Sequence, residues 1–379
     1  MNSVSVVKEM MMGMKEHGKL TERQFAGIIA NTMLGAGTLV MPRTLTSSAG
    51  TGSWIAILIG GGLSLFVLMI IIKLGLRFPE ETIIEYGVRL TNKWIGGIIS
   101  FLLCTYWLMI SALVIRIFAS MLNSTILLNT PIEVIIIAML LTITYFVRGD
   151  VEIIGRINEL YFIFVIFPII YAIFLGVKEI HPIRLLPVTG GQGITPILFA
   201  TISSFFSFLG YEIVFLLIPS ITTKKLAYNY GIKGITSPLF AYICLTFISV
   251  GIFGIEELQT LTWPTLELVK VTPFPGLLFE RLESFFISFW VIAIFTTSGN
   301  LYYSSILGFT QLFKIKEHKT LIFPLLPVIY LLAVYPENIY KVFKYMNLLS
   351  VFAAILIVTV TFFYYIIAII REKKGDEDS

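Results

Sequence analysis

The chain has 379 residues, of which 57% are hydrophobic and only 13% charged, and its mean hydropathy is +0.90. A soluble domain carries about 25% charged residues, whereas here nearly uncharged runs long enough to cross a bilayer recur along the chain. The formal net charge of +4 gives no case for a nucleic-acid partner.

The first twenty residues lack the apolar core and small-residue cleavage site of a signal peptide, so residues 1–22 read as a cytoplasmic tail. Ten apolar spans follow, near 23–46, 53–76, 95–122, 132–148, 157–177, 196–219, 233–255, 283–313, 320–336 and 346–370. Between the second and third, Ile83, Ile84, Tyr86, Val88 and Leu90 alternate with charges, the pattern of a short amphipathic helix at the interface. Residues 178–195 are rich in Gly and Pro and read as a loop; residues 256–282, broken by Pro264, Pro273 and Pro275, read as a second. Glu280, Arg281 and Glu283 form a solvated start to the eighth span, which is long enough to tilt or protrude. Cys104 and Cys244 lie on different spans, with no disulfide framework or CxxC metal pair, so no cofactor or metal is expected. Residues 371–379 form a second cytoplasmic tail.

With the N-terminus inside, nineteen of the 27 Lys and Arg fall on inner segments, which places both termini in the cytoplasm. Ten spans divide into sets of five, 23–177 and 196–370. Five is odd, so two such sets enter the membrane from opposite sides, as in many secondary transporters. The first span of each set is interrupted at its centre: by Gly35, Ala36 and Gly37 in GAGTLVMP, and by Gly210, next to Tyr211 and Glu212, in FSFLGYE. Glycine admits backbone angles that let a helix unwind. Unwound backbone at membrane depth survives only where protein or a wet cavity surrounds it. Close packing is the alternative reading of these glycines, and the only one adopted for Gly60, Gly61 and Gly62.

A carboxylate at membrane depth is costly and faces a cavity or a partner. Glu212 therefore either holds the break together, contacts a ligand or couples to protons. Arg116 either snorkels to the outer interface or lines a vestibule beneath it. Glu159, beside Asn158, is expected to meet Arg156 or water. Tyr106 and Ile110 share a helix face, and Tyr106, Trp107, Thr296, Thr297, Ser298 and Asn300 offer hydrogen-bonding groups at mid-depth. His17, His181 and His318 lie outside any HExxH or triad-like setting, and no P-loop appears, so catalysis is not expected.

The GAGTLVMP of span one, FSFLGYE in span six, FERLESFF before span eight and YPEN (Tyr335 to Asn338) before span ten resemble the spore germination permeases. These are the B-type membrane subunits of GerA-type germinant receptors, within the amino acid–polyamine–organocation transporter superfamily. The resemblance runs from about residue 20 to residue 370. It implies an all-α membrane fold of about ten helices, a 5+5 inverted repeat of the LeuT-like kind with spans one and six broken. It further implies a germinant pocket near Gly35, Gly37, Thr38, Tyr106, Ile110, Phe206, Gly210, Tyr211, Glu212, Thr297 and Ser298. The expected ligand is a small, weakly polar amino acid. The expected partners are an A-type membrane subunit and a C-type lipoprotein, in the spore inner membrane. Ligand sensing, amino acid transport coupled to Na⁺ or H⁺, and a ligand-gated ion path all remain open from the sequence.

Overall fold

The computed structural model describes residues 18–190, 193–271 and 282–371. Lys8, Lys15, His17, Pro273, Pro275, Glu280, Arg281, Lys373, Lys374 and the side chain of Glu283 lie outside the described residues.

In chain order the helices are α1 (Glu22–Met33), α2 (Gly37–Ala49), α3 (Ser53–Arg77), α4 (Ile83–Leu90), α5 (Lys93–Thr125), α6 (Ile132–Val147) and α7 (Val151–Gly176). There follow α8 (Ile194–Ser207), α9 (Val214–Leu217), α10 (Ala227–Thr260), α11 (Pro264–Val271), α12 (Leu282–Leu312), α13 (Lys319–Val334) and α14 (Ile339–Ile370). No strand occurs among the described residues beyond one parallel bridge, between Leu20 and Ile221. Among the described residues, five helical stretches are long and apolar enough to cross a membrane, and the bent pair Ile194–Ser207 and Tyr211–Ser220, which meet at 46°, makes a sixth if taken as one span. Two further apolar helices, α6 and α13, have 16 residues each.

The order of elements recurs. A broken helix, a long helix, a short amphipathic one, then helices of 33, 16 and 26 residues make the first series. The second repeats it with helices of 31, 16 and 32 residues. The long members run past their apolar cores because polar caps start them early. The Asn92 side chain accepts from the Ile95 N–H at 2.8 Å, and the Asn338 side chain from the Lys341 N–H at 2.9 Å. At α1, Thr21 and Gln24 cap each other reciprocally.

The expected loop over 256–282 is partly helical. Helix α10 continues to Thr260 through a kink at Gly254 (φ 74°), and α11 begins at Pro264, where a missing N–H costs nothing. Burial of Leu266, Leu268 and Val269 holds α11 in place. Pro42 explains why it docks there. Proline cannot donate to the carbonyl four residues earlier, so Thr38 O is left free inside α2. Thr265 Oγ1, from α11, donates to it at 2.7 Å.

Of the two partners expected for Glu159, Arg156 is taken: it pairs with Glu152 at 2.5 Å, one helical turn earlier on the same face. The segment before α1 is stapled across the bundle: Leu20 N–H donates to Ser220 O at 2.7 Å, and Thr222 N–H to Leu20 O at 3.0 Å. Of the glycine triplet, Gly60 and Gly61 admit Ser204 and Leu239 closer than a side chain would allow, while Gly62 faces open space.

Replacing Thr265 with Val keeps the shape but removes the donor to Thr38 O. A buried carbonyl without a partner costs about 1–3 kcal/mol, so the purified protein in detergent is expected to unfold at a lower temperature. An unchanged midpoint would show that Thr38 O finds another donor.

Candidate functional site

The two interruptions lie side by side. Helix α1 ends at Met33 and α2 begins at Gly37, and Gly210 packs against Thr32, with 3.1 Å from the position of an added Cβ to Thr32 O. Gly210 has φ 124°, a conformation glycine alone adopts at low cost. At Gly35 the close-packing alternative accounts for the glycine. Its φ is not positive; a Cβ there would stand 2.6 Å from Thr297 Oγ1. The missing side chain lets Thr297 reach across and donate to Asn31 O at 2.6 Å.

Other groups left by the first break are taken by neighbouring helices. The Tyr242 hydroxyl of α10 donates to Met33 O, and the Tyr242 ring meets Phe208 of the second break edge-on, with centroids 5.3 Å apart. Three fully buried amides connect α1, α7 and α12. Asn31 Nδ2 donates to Asn158 O at 2.8 Å, and Asn158 and Asn300 bond amide to amide at 2.8 and 2.9 Å. Asn300 Nδ2 also reaches Thr32 Oγ1 at 2.9 Å.

The second break is held by its own acid. Glu212 is wholly buried; its Oε2 accepts from the Gly210 N–H at 2.6 Å and its Oε1 from the Tyr106 hydroxyl at 3.1 Å. One carboxylate thus satisfies the backbone at the turn and ties it to α5, with one oxygen for each task.

A cavity of about 690 Å³ opens onto both breaks. Of the site residues read from the sequence, Gly35, Gly37, Tyr106, Ile110, Phe206, Gly210 and Thr297 line it. Thr38, Tyr211, Glu212 and Ser298 lie behind the wall: all four are buried, and Ser298 O accepts from Ser111 Oγ at 2.8 Å. The first turn of α2 and the last turn of α8 both end at the cavity. The Thr38 and Leu39 N–H groups turn back to Gly35 O and Ala36 O, so the positive end of α2 meets the cavity at Gly37 and the carbonyl end of α8 at Ser207. Towards its mouth the wall carries Arg43 and Lys344, and no carboxylate occurs among the described lining residues. Helix α14 contributes Tyr340, Phe343, Lys344, Met346, Asn347 and Ser350, a wall that sequence reading did not find. Polar positions recurring at helical spacing near YPEN were its only trace.

With this geometry in hand, comparison with known proteins gives one answer. A sequence profile described as Spore germination protein matches residues 19–342. The chain belongs to this family. Spore germination protein YndE of Bacillus subtilis (strain 168) is 36% identical, over 86% of this chain and 89% of YndE. Spore germination protein A2 of the same organism is 30% identical, over 93% and 96%, and B2 is 27% identical, over 95% and 98%. The fold is that of Mhp1, a nucleobase-cation-symport-1 family transporter solved in a closed conformation with bromovinylhydantoin bound. The TM-score is 0.66 at 14% identity, covering 90% of this chain and 78% of Mhp1. This spore germination protein is therefore a multi-pass helical membrane protein of transporter-like fold.

Sequence reading missed Asn31, Asn158 and Tyr242 as determinants of the break. Asn158 was visible only as an uncharged polar residue beside Glu159, and Tyr242 only as one aromatic among many.

Glutamine at 212 keeps one acceptor oxygen where two are needed, and Phe at 106 removes one donor. Each of Glu212→Gln and Tyr106→Phe is expected to lower the unfolding midpoint. The double variant should fall short of the sum by about 0.5–3 kcal/mol, as expected of groups in direct contact. Strict additivity in that cycle would mean the two do not bond.

Proposed function

We propose that this chain is the ligand-binding B-type membrane subunit of a nutrient germinant receptor, and that its cavity takes the zwitterion of a small amino acid. The observation that carries the reading is a cavity that meets a helix N-terminus and a helix C-terminus together. The N–H end at Gly37 favours a carboxylate and the carbonyl end at Ser207 an ammonium group. Its size falls within the range of about 300–1,000 Å³ usual for small-molecule sites. Arg43 and Lys344 at the mouth attract negatively charged groups, admit a net-neutral zwitterion and repel cationic ligands.

The division into repeats 23–177 and 196–370, with residues 1–22 and 371–379 cytoplasmic, belongs to the same proposal. Under it the cavity mouth faces outward, and the Leu20–Ile221 staple closes the inner side. Ligand binding shifts the equilibrium of the break region through its differential affinity for two arrangements. The A-type membrane subunit and the C-type lipoprotein then carry the signal in the spore inner membrane. Relatives named spore germination proteins support this reading over catalysis.

Transport of the same solute is the second reading, favoured by the likeness to a cation-symport family transporter. Two features weigh against ion coupling at the first break: Asn31 O and Met33 O are already occupied by Thr297 and Tyr242. The deciding experiment reconstitutes the purified chain in proteoliposomes and measures binding and uptake of labelled amino acids. Saturable binding without uptake, with germination restored only beside the partner subunits, supports sensing. Concentrative uptake driven by a Na⁺ or H⁺ gradient overturns it.

Gly35→Val puts side-chain carbons onto Thr297. We expect loss of amino acid response in spores that nonetheless accumulate the protein; an unaltered dose response would reduce Gly35 to packing. Lys344→Gln combined with Arg43→Gln is expected to relax discrimination against lysine by about tenfold, in line with loss of several partly screened charge contacts. Germination dose curves for alanine and lysine measure it.

A further inference from the structure

A second cavity, of about 560 Å³, lies on the other side of the α14 start. Its wall is built from the last turns of α5, the turn leading to α6 and the first residues of α14, with Arg116, Asn123, Asn129, Thr130, Asn338 and Ile339 among them. Nothing in the solute site uses these groups.

Arg116 is the unusual member. It is only 6% exposed, yet its guanidinium makes a single hydrogen bond, from Nη2 to Pro336 O at 2.9 Å. Its Nε is buried without an acceptor. Among the described residues no ion pair includes it, and Glu337, which shares the cavity, is engaged by Lys341 at 2.6 Å. A buried cation is ordinarily paired or saturated with hydrogen bonds; this one has a single hydrogen bond, and the nearby Glu133 carboxylate acts on it only beyond ion-pair distance. Against it stands a helix N-terminus. Asn338 caps α14 by accepting from the Lys341 N–H, and Asn338 and Ile339, at the positive end of this 32-residue helix, line the same space. Asn123 Nδ2 donates to Thr130 O at 2.8 Å, which fixes the turn that forms the opposite wall.

We propose that this cavity binds a small carboxylate, held by the Arg116 fork and the first turn of α14. A guanidinium matches the plane and two oxygens of a carboxylate, and with Glu337 paired to Lys341 the single cation left in the wall matches a monoanion. The occupant bridges α5 and the turn at Pro336, and so fixes the start of α14. That matters for the first cavity, because Tyr340, Phe343 and Lys344, on the next turns of α14, wall it. An anion bound here sets the position of that wall and the affinity of the other site. The proposal stands on Arg116 and α14 alone and does not depend on which solute, if any, the first cavity takes.

The test uses the full chain in lipid nanodiscs, with its unfolding midpoint followed as sodium acetate replaces sodium chloride at constant ionic strength. A saturable rise with acetate is expected, absent with chloride. Arg116→Gln is expected to abolish the rise, while Lys344→Gln, at the first cavity, retains it. Asn129→Asp adds a negative charge at the exposed rim without disturbing buried groups and is expected to weaken the acetate response about tenfold by like-charge repulsion. If Arg116→Gln fails to fold, Asn129→Asp decides. No acetate-specific rise in the unaltered chain overturns the proposal, as does a rise undiminished in Arg116→Gln or, should that variant not fold, in Asn129→Asp.

Discussion

Backbone that leaves the helix at membrane depth must still find hydrogen-bond partners, because lipid supplies none. Around the two breaks of this spore germination protein, the partners come from five neighbouring elements. Thr297 of α12, Tyr242 of α10 and Thr265 of α11 donate to freed carbonyls, while side chains at the breaks bond Asn300 of α12, Asn158 of α7 and Tyr106 of α5. Each of these bonds is also a tertiary contact. Satisfying the broken helices and assembling the bundle are therefore one requirement, and the cavity is what remains once it is met.

The chemistry of the lock is mostly neutral. Hydroxyls and amides close the first break, and a carboxylate appears only at the second, where it caps a buried N–H and receives a tyrosine hydroxyl. Neutral hydrogen bonds contribute about 0.5–1.5 kcal/mol each, so no single one dominates. Such a network can exchange partners between two arrangements at modest cost, which suits an element whose equilibrium a ligand must bias. Charge is placed elsewhere: Arg43 and Lys344 line the first cavity, and the buried Arg116 lines the second.

Helix α14 links these regions. Its first turns separate the two cavities, and its cap residue, Asn338, fixes where those turns begin. From the sequence the YPEN segment was recognisable as a family feature, but its role as a wall was not. A polar residue preceding a long apolar run shows where a helix starts; it carries no information about what the helix faces.

The helical membrane class, the approximate positions of most helices, the two interruptions and the buried acid were legible in the chain itself. Hydrophobicity, helix length and the special backbone of glycine act locally, so a linear reading captures them. The partners of those interruptions were not legible. Asn31, Asn158 and Asn300 are separated by more than a hundred residues at each step; Asn300 was legible as a hydrogen-bonding group at mid-depth, but nothing local joined it to Asn31 or Asn158. The helical nature of α11 was likewise hidden, because only the carbonyl freed by Pro42 in α2 gives Thr265 something to bind. Gly35 shows the division within one residue: its lack of a side chain was plain from the start. That the empty space belongs to Thr297, and not to an unusual backbone angle, was decided only when α12 packed against the break.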